Sequence, residues 1–173
     1  MLVALRTPVT LETRRFVSHA EFSFLERQFT PRTVFMDIGS SDCDLALRAA
    51  GYVERVYAVD VSGRFLHSVL VPCNLRLVLC NGVHIPVPEA SVDLAWSGRF
   101  MDHLHPDDAQ EHLRSVHRSL APGGEYLFRT RLAPEALRAA GFSRVRAYVG
   151  AAPIPLAAAG LMPGHARFVA VKG

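Results

Sequence analysis

Short apolar runs rich in β-branched and aromatic residues alternate with helix-periodic stretches along most of the chain, and this alternation constrains the fold more than any other feature. TVFMDI at 33–38, RVYAVD at 55–60, LRLVLC at 75–80, SVDLAW at 91–96 and EYLFRT at 125–130 read as strands. Between them, Asp42 to Ala50 carries helix-forming residues and ends at Gly51, a natural residue for the left-handed position past a helix end. A second helical stretch covers about 63–70. The clearest helix opens at Pro106, with Asp107 and Asp108 beside the positive end of its dipole. Its buried stripe is Ala109, Leu113, Val116 and Leu120, and it stops at Ala121-Pro122-Gly123-Gly124. A short helix from Pro134 to Ala140 ends at Gly141, after which FSRVRAYV and HARFVAVK are two further strands with no helix between them.

Strands separated by helices imply right-handed crossovers and a mostly parallel sheet covered on both faces. The last two strands form an antiparallel pair joined by the uncharged segment 150–164. The expected fold is therefore an α/β three-layer sandwich around a seven-stranded, mostly parallel sheet with an antiparallel last strand. Residues 12–28 put Phe16, Val17, Ala20, Phe24 and Leu25 on one helical stripe. Residues 1–30 thus read as an N-terminal helical extension or lid, and 31–173 as the main domain.

At 173 residues, 50% hydrophobic and 20% charged, the chain has the size and composition of one globular domain, which excludes a disordered tail or a fibre. Its three cysteines, Cys43, Cys73 and Cys80, are an odd number without CxxC spacing, and MLVALRTPVT lacks the pattern of a secretory signal. A reduced, cytoplasmic setting is the expectation. No membrane span is read, because the uncharged stretch Ala147 to Gly164 contains Pro153, Pro155 and Pro163. The net charge is +3, and Lys172 is the single lysine among 19 basic residues. The arginines are spread along the chain, which disfavours nucleic acid as a partner.

In an open α/β sheet, ligands bind at the carboxyl ends of strands where the strand order reverses. The residues there are Asp37-Ile38-Gly39-Ser40-Ser41-Asp42-Cys43 after the first strand and Asp60 after the second. A carboxylate in the place of Asp60 suits the two hydroxyls of a ribose. Asp37 discriminates among adenosine cofactors. A pyrophosphate needs a neutral glycine-lined approach, and the dinucleotide pattern Gly-x-Gly-x-x-Gly is missing. An acidic residue repels phosphate and attracts a sulfonium and an ammonium group, which favours S-adenosylmethionine over NAD or FAD.

VFMDIGSSDCDLALRAA, VYAVDVS, LVLCNGVHIPVPEASVDLAWS and MDHLHPDDAQEHLRSVHRSLAPGGEYLF, read in order, resemble the class I S-adenosylmethionine-dependent methyltransferase family over about residues 33–130. The resemblance implies a Rossmann-like fold and S-adenosylmethionine as cofactor. It implies that Asp37, Gly39, Ser40 and Ser41 line the methionine end and that Asp60 holds the ribose. Asn81 would accept from the adenine amino group through its amide oxygen, Gly82 would offer a backbone N–H, and Val61 and Ile85 would be apolar walls. Ser97 would stand at the boundary between methionine and substrate. The family's Gly-x-Gly-x-Gly loop is here glycine, serine and cysteine at positions 39, 41 and 43. A Cβ where φ is positive costs on the order of 1 kcal/mol per site. A non-catalytic relative with a degenerate cofactor loop is therefore the alternative to an enzyme.

Candidates for a general base are Asp102, His103 and His105, with Arg99 as an anchor for an anionic substrate. Trp96-Ser97-Gly98-Arg99 departs from the Asn/Asp-Pro-Pro-Tyr/Phe pattern of amino-methylating relatives. His103, His105, His112 and His117 are read as a solvated helix face rather than a metal site. The expected partner is a small-molecule methyl acceptor. With so little chain outside the main sheet, specificity falls to the N-terminal helix, the 150–164 segment and the strand ends, or to a partner subunit, which leaves a homo-oligomer open.

Overall fold

The computed structural model describes residues 19–63, 71–130, 134–159 and 166–173. Its strands are β1 (Val34–Ile38), β2 (Arg55–Asp60), β3 (Leu75–Leu79), β4 (Val92–Ser97), β5 (Leu120–Phe128), β6 (Phe142–Val149), β7 (Ala152–Ile154) and β8 (Arg167–Lys172). Its helices are α1 (His19–Glu26), α2 (Asp44–Ala49), α3 (Pro106–Ser119), α4 (Pro134–Ala139) and α5 (Leu156–Ala159). Among the described residues one eight-stranded sheet runs in the order β3-β2-β1-β4-β5-β8-β6-β7. β1 pairs in parallel with both β2 and β4, so the strand order reverses at β1 and a crevice opens beyond Ile38. The last strand is antiparallel to β5 and β6, as expected. The eighth strand is β7, and the sequence reading did not include it. Pro153 is the middle residue of this three-residue strand and Pro155 follows it, which an edge strand tolerates because only one side is bonded. The described part of the 150–164 segment extends the sheet edge and does not cover the crevice.

Period-two burial divides the core between the two faces of the sheet. Phe35, Val56, Ala58, Leu94, Trp96, Leu127 and Val169 meet Phe22 and Leu25 of α1 and Leu45, Ala46 and Ala49 of α2. Met36, Ile38, Tyr57, Val59, Tyr126 and Phe128 meet Leu113 and Val116 of α3 and Leu137 beyond. This is the three-layer sandwich. On α1 the buried residues are Phe22 and Leu25, with Phe24 half-buried, whereas Phe16 and Val17 lie outside the described residues. The helix expected over 63–70 also falls almost wholly outside them.

The long helix α3 starts as its sequence directs. Pro106 occupies the first turn, and His105 caps it, its Nδ1 accepting from the Asp107 N–H at 3.4 Å. All four residues of the expected stripe are buried. The turn after α3 depends on Gly124, where a Cβ would sit 2.9 Å from the carbonyl oxygens of both Ala121 and Val92. Gly51, in contrast, is not among the positive-φ glycines. The chain leaves α2 through right-handed turns in which Gly51 N bonds Arg48 O and Tyr52 N bonds Ala49 O. No helix among the described residues is long and apolar enough to cross a membrane.

Candidate functional site

The carboxyl ends of β1 and β2 build one polar rim. Gly39 and Ser40 both donate their backbone N–H to Val59 O, at 2.8 and 3.1 Å, which folds the loop after β1 against β2. Asp60 then holds the loop with its carboxylate, Oδ2 accepting from Ser41 N and Oδ1 from Ser62 N, each at 2.8 Å. Each oxygen keeps a further lone pair. The loop passes through three left-handed positions, Gly39 (φ 78°), Ser41 (φ 52°) and Cys43 (φ 64°). Residues with a Cβ therefore adopt a glycine-type backbone at positions 41 and 43, which stores strain in the loop.

Asp37 is only 3% exposed and accepts a hydrogen bond from Ser40 Oγ at 2.8 Å. Burial raises its pKa to about 7, a shift that the Ser40 hydrogen bond opposes and the carboxylates of Asp60, Asp42 and Asp44 reinforce. Cys43, beneath the same loop, has its thiol pKa raised, first by burial and then by the neighbouring acids, despite a hydrogen bond with Ser40. A nearby positive charge would favour the ionised form of this buried acid.

Opposite this rim, Gly82 (φ 88°) lies against Val61 and Leu104, and a Cβ on it would come within 3.5 and 3.6 Å of them. Its carbonyl oxygen accepts from His112 Nδ1 at 2.9 Å. Val61 is 40% exposed, whereas Ile85 is 1% exposed and belongs to the core on the α3 side. The expected wall at Ile85 is thus core, and Leu104 takes its place beside Gly82. Asn81 Oδ1 accepts from the backbone N–H groups of Val83 and His84, at 3.0 and 2.7 Å. Both lone pairs of that oxygen are in use, so in this conformation the exposed side chain offers an adenine its amide nitrogen, not the expected oxygen. Ser97 is fully buried and hydrogen-bonded to Tyr126 Oη at 2.8 Å on the α3 face, so its backbone, not its hydroxyl, borders the crevice.

Arg99 is half-buried at the start of the short 3-10 helix Phe100–His103, Asp102 accepts from Thr130 Oγ1 at 3.0 Å, and His103 is exposed. His105 is the cap of α3. His112 corrects the solvated-face expectation, because it is fully buried and burial lowers its pKa to about 4. Among the described residues no group of three or more His, Cys, Asp or Glu lies close enough to hold a metal. The three cysteines are free thiols, with Cys43 in the core on the α2 face and Cys80 against the core on the other.

Two neighbourhoods were not anticipated. Phe100 packs its ring on Gly39, where a Cβ would stand 3.1 Å from Cδ2, reaches towards Gly82, and lies 5.2 Å from the His112 ring. No sequence signal marks it. Arg129, beyond β5, and Arg167, opening β8, both reach α1, and no sequence signal marks the pair, because the antiparallel pairing of β5 with β8 appears only in the fold.

The model of a methyltransferase domain matches residues 36–128, just over half of the chain. A comparison with curated proteins finds no significant match. Several solved structures share the fold. One is a complex between the Haloferax volcanii Trm112 methyltransferase activator and a protein assigned as a methyltransferase, with 16% identity, TM-score 0.65, and 87% of this chain and 88% of that one covered. Another is a Burkholderia thailandensis 1,6-didemethyltoxoflavin-N1-methyltransferase with its substrate and S-adenosylhomocysteine bound, with 21% identity, TM-score 0.62, and 87% and 76% covered. A third is the [4+2]-cyclase SpnF, with 17% identity, TM-score 0.62, and 88% and 80% covered.

Proposed function

The chain belongs to the methyltransferase-domain family, and on that premise we propose that it is an S-adenosylmethionine-dependent methyltransferase acting on a small-molecule acceptor. The observation that carries this reading is the loop after β1. It has lost two glycines of its family pattern and still holds positive φ at positions 39, 41 and 43, with Ser41 N fastened to Asp60. Keeping a strained backbone there fits a selected binding conformation.

Asp60 would take the ribose hydroxyls through its remaining lone pairs, Val61 and Leu104 would flank the adenine, and Asn81 would donate to it. Gly39 is exposed on the β1 side of the crevice, whereas Gly82 is buried behind Val61, Leu104 and Phe100. When bound, S-adenosylmethionine supplies a methyl group on a positively charged sulfur. Asp37 would give up its proton beside the cationic end of the cofactor and balance its charge. The chain's part in the transfer is to align the acceptor and exclude water, which can supply most of the rate enhancement without a general base. Free thiols at Cys43, Cys73 and Cys80 fit a reducing, cytoplasmic setting.

Phe100 favours a second reading. Its ring lies in the space next to Gly39 that a cofactor would approach, as in a pocket closed to it. Calorimetric titration with S-adenosylhomocysteine and with NADH separates the readings. Micromolar binding of the former and none of the latter is expected. No binding by wild type, with binding restored in Phe100→Ala, would replace the enzyme by a closed-pocket relative.

A further inference from the structure

Arg167 is 6% exposed, yet among the described residues its Nε and Nη1 have no hydrogen-bond partner, and neither has the buried Nε of Arg129. The groups that do engage them are few. Arg129 Nη2 pairs with Glu21 Oε1 of α1 at 3.0 Å, and Arg167 Nη2 donates to Gly150 O at 3.2 Å. The Arg167 guanidinium lies 4.0 Å over the Phe24 ring. A buried charged donor left without an acceptor is costly, and natural structures hold few of them. Here the two guanidinium groups also stand against each other. Burial and the charge of Arg129 lower the Arg167 pKa, and Glu21 offsets this in part.

Their place in the sheet gives the pair a meaning. Phe128 pairs with Phe168, so Arg129, one residue beyond β5, and Arg167, the first residue of β8, follow directly on the last pair of that ladder and both reach α1, at Glu21 and Phe24. Both share the sheet face of Leu127 and Val169, the face that α1 covers. Arg129 N also bonds the carbonyl oxygens of Ser97 and Gly98, so the pair begins where β4 ends. At about 4.8 Å per strand, β5 and β8 lie roughly 10 and 14 Å from β1. The carboxyl rim is therefore acidic at β1 and β2, through Asp37 and Asp60, and basic at β5 and β8.

We propose that Arg129 and Arg167 form a binding site, beneath α1, for the anionic group of the methyl acceptor, a carboxylate or a phosphate. This rests on the methyltransferase reading for the word acceptor and on the arginine pair alone for the anion. The acidic half of the rim receives the cationic cofactor, and the basic half holds the anion of a small molecule whose nucleophile reaches back towards β1. The anion supplies acceptors to the orphaned N–H groups and relieves the repulsion between the two guanidinium groups.

The test is calorimetric titration of the full chain, with and without S-adenosylhomocysteine, using benzoate, phenyl phosphate and the neutral isostere benzamide. Benzoate or phenyl phosphate is expected to bind and benzamide not, and the tighter anion identifies the group. Arg129→Gln and Arg167→Gln should weaken anion binding by at least about tenfold while leaving S-adenosylhomocysteine affinity unchanged. Arg167 is buried, so its variant counts only if it melts like wild type, and Arg129→Gln carries the test otherwise. Equal binding of benzoate and benzamide, no anion binding, or wild-type anion affinity in Arg129→Gln would overturn the proposal. Failure of S-adenosylhomocysteine to bind would overturn the cofactor reading instead, and arginine-dependent benzoate binding would then still establish the anion site.

Discussion

Asp37 and His112 are buried ionisable side chains whose protonation acts in opposite senses. Asp37 has its pKa raised from 3.8 to about 7, so the folded state takes up a proton before the unfolded chain does as pH falls. Its contribution is favourable at low pH and is lost as pH rises from about 4 to about 7. His112 has its pKa lowered from 6.5 to about 4, so the unfolded chain is protonated first and stability is lost as pH falls through that window. The two largely offset each other in wild type. Relative to wild type, Asp37→Asn should therefore gain stability as pH rises from 4 to 8, and His112→Gln should gain it as pH falls from 6.5 to 4. Thermal melts across that range check both, and parallel pH profiles for variant and wild type would contradict the burial argument. Asp37 was legible because an acid at a strand end beside a glycine turn has few roles. His112 was not, because helical periodicity cannot show that Gly82 O would stand 2.9 Å from its ring.

Among the elements, the loop from β1 to α2 shows most directly how conformation outlasts composition. Its sequence, Gly-Ser-Ser-Asp-Cys, departs from its family's glycine pattern, and the structure restores the glycine backbone at a cost. Ser41 is exposed, so Ser41→Gly removes strain without removing packing and should stabilise the protein by up to about 1 kcal/mol in urea unfolding. Cys43→Gly would gain nothing comparable, because the 0% exposed thiol is part of the core. An unchanged or lowered midpoint for Ser41→Gly would mean that the loop is not strained. The positions of β1 to β4 and β6 were readable within about one residue, since β-branched runs and turn residues mark both ends, whereas β5 begins at Leu120, five residues before the expected start at Glu125, because the Ala121-Pro122-Gly123-Gly124 stretch read as a helix stop belongs to the strand. What period and composition did not show was local backbone geometry: the right-handed exit at Gly51, the edge strand β7 with Pro153 at its centre, and the use of the Asn81 oxygen by its own loop.

For the molecule as a whole, alternation of strand and helix fixed the three layers and the reversal at β1, and with them the location of the crevice. The arginine pair lay beyond that reasoning because Arg129 and Arg167 are 38 residues apart and meet only through antiparallel pairing. The resulting polarity of the rim, acidic over β1 and β2 and basic over β5 and β8, would join the proposed cofactor half to the proposed acceptor half. Asp60 is the residue on which the cofactor half depends, because it alone would hold the ribose and already holds the loop through Ser41 N and Ser62 N. The direct measurement is titration of S-adenosylhomocysteine into wild type and Asp60→Ala, with circular dichroism confirming that the variant is folded. Micromolar binding by wild type and a loss of at least about a hundredfold in the folded variant are expected. Retained affinity in folded Asp60→Ala, or no binding by either protein, would contradict a cofactor seated across β1 and β2.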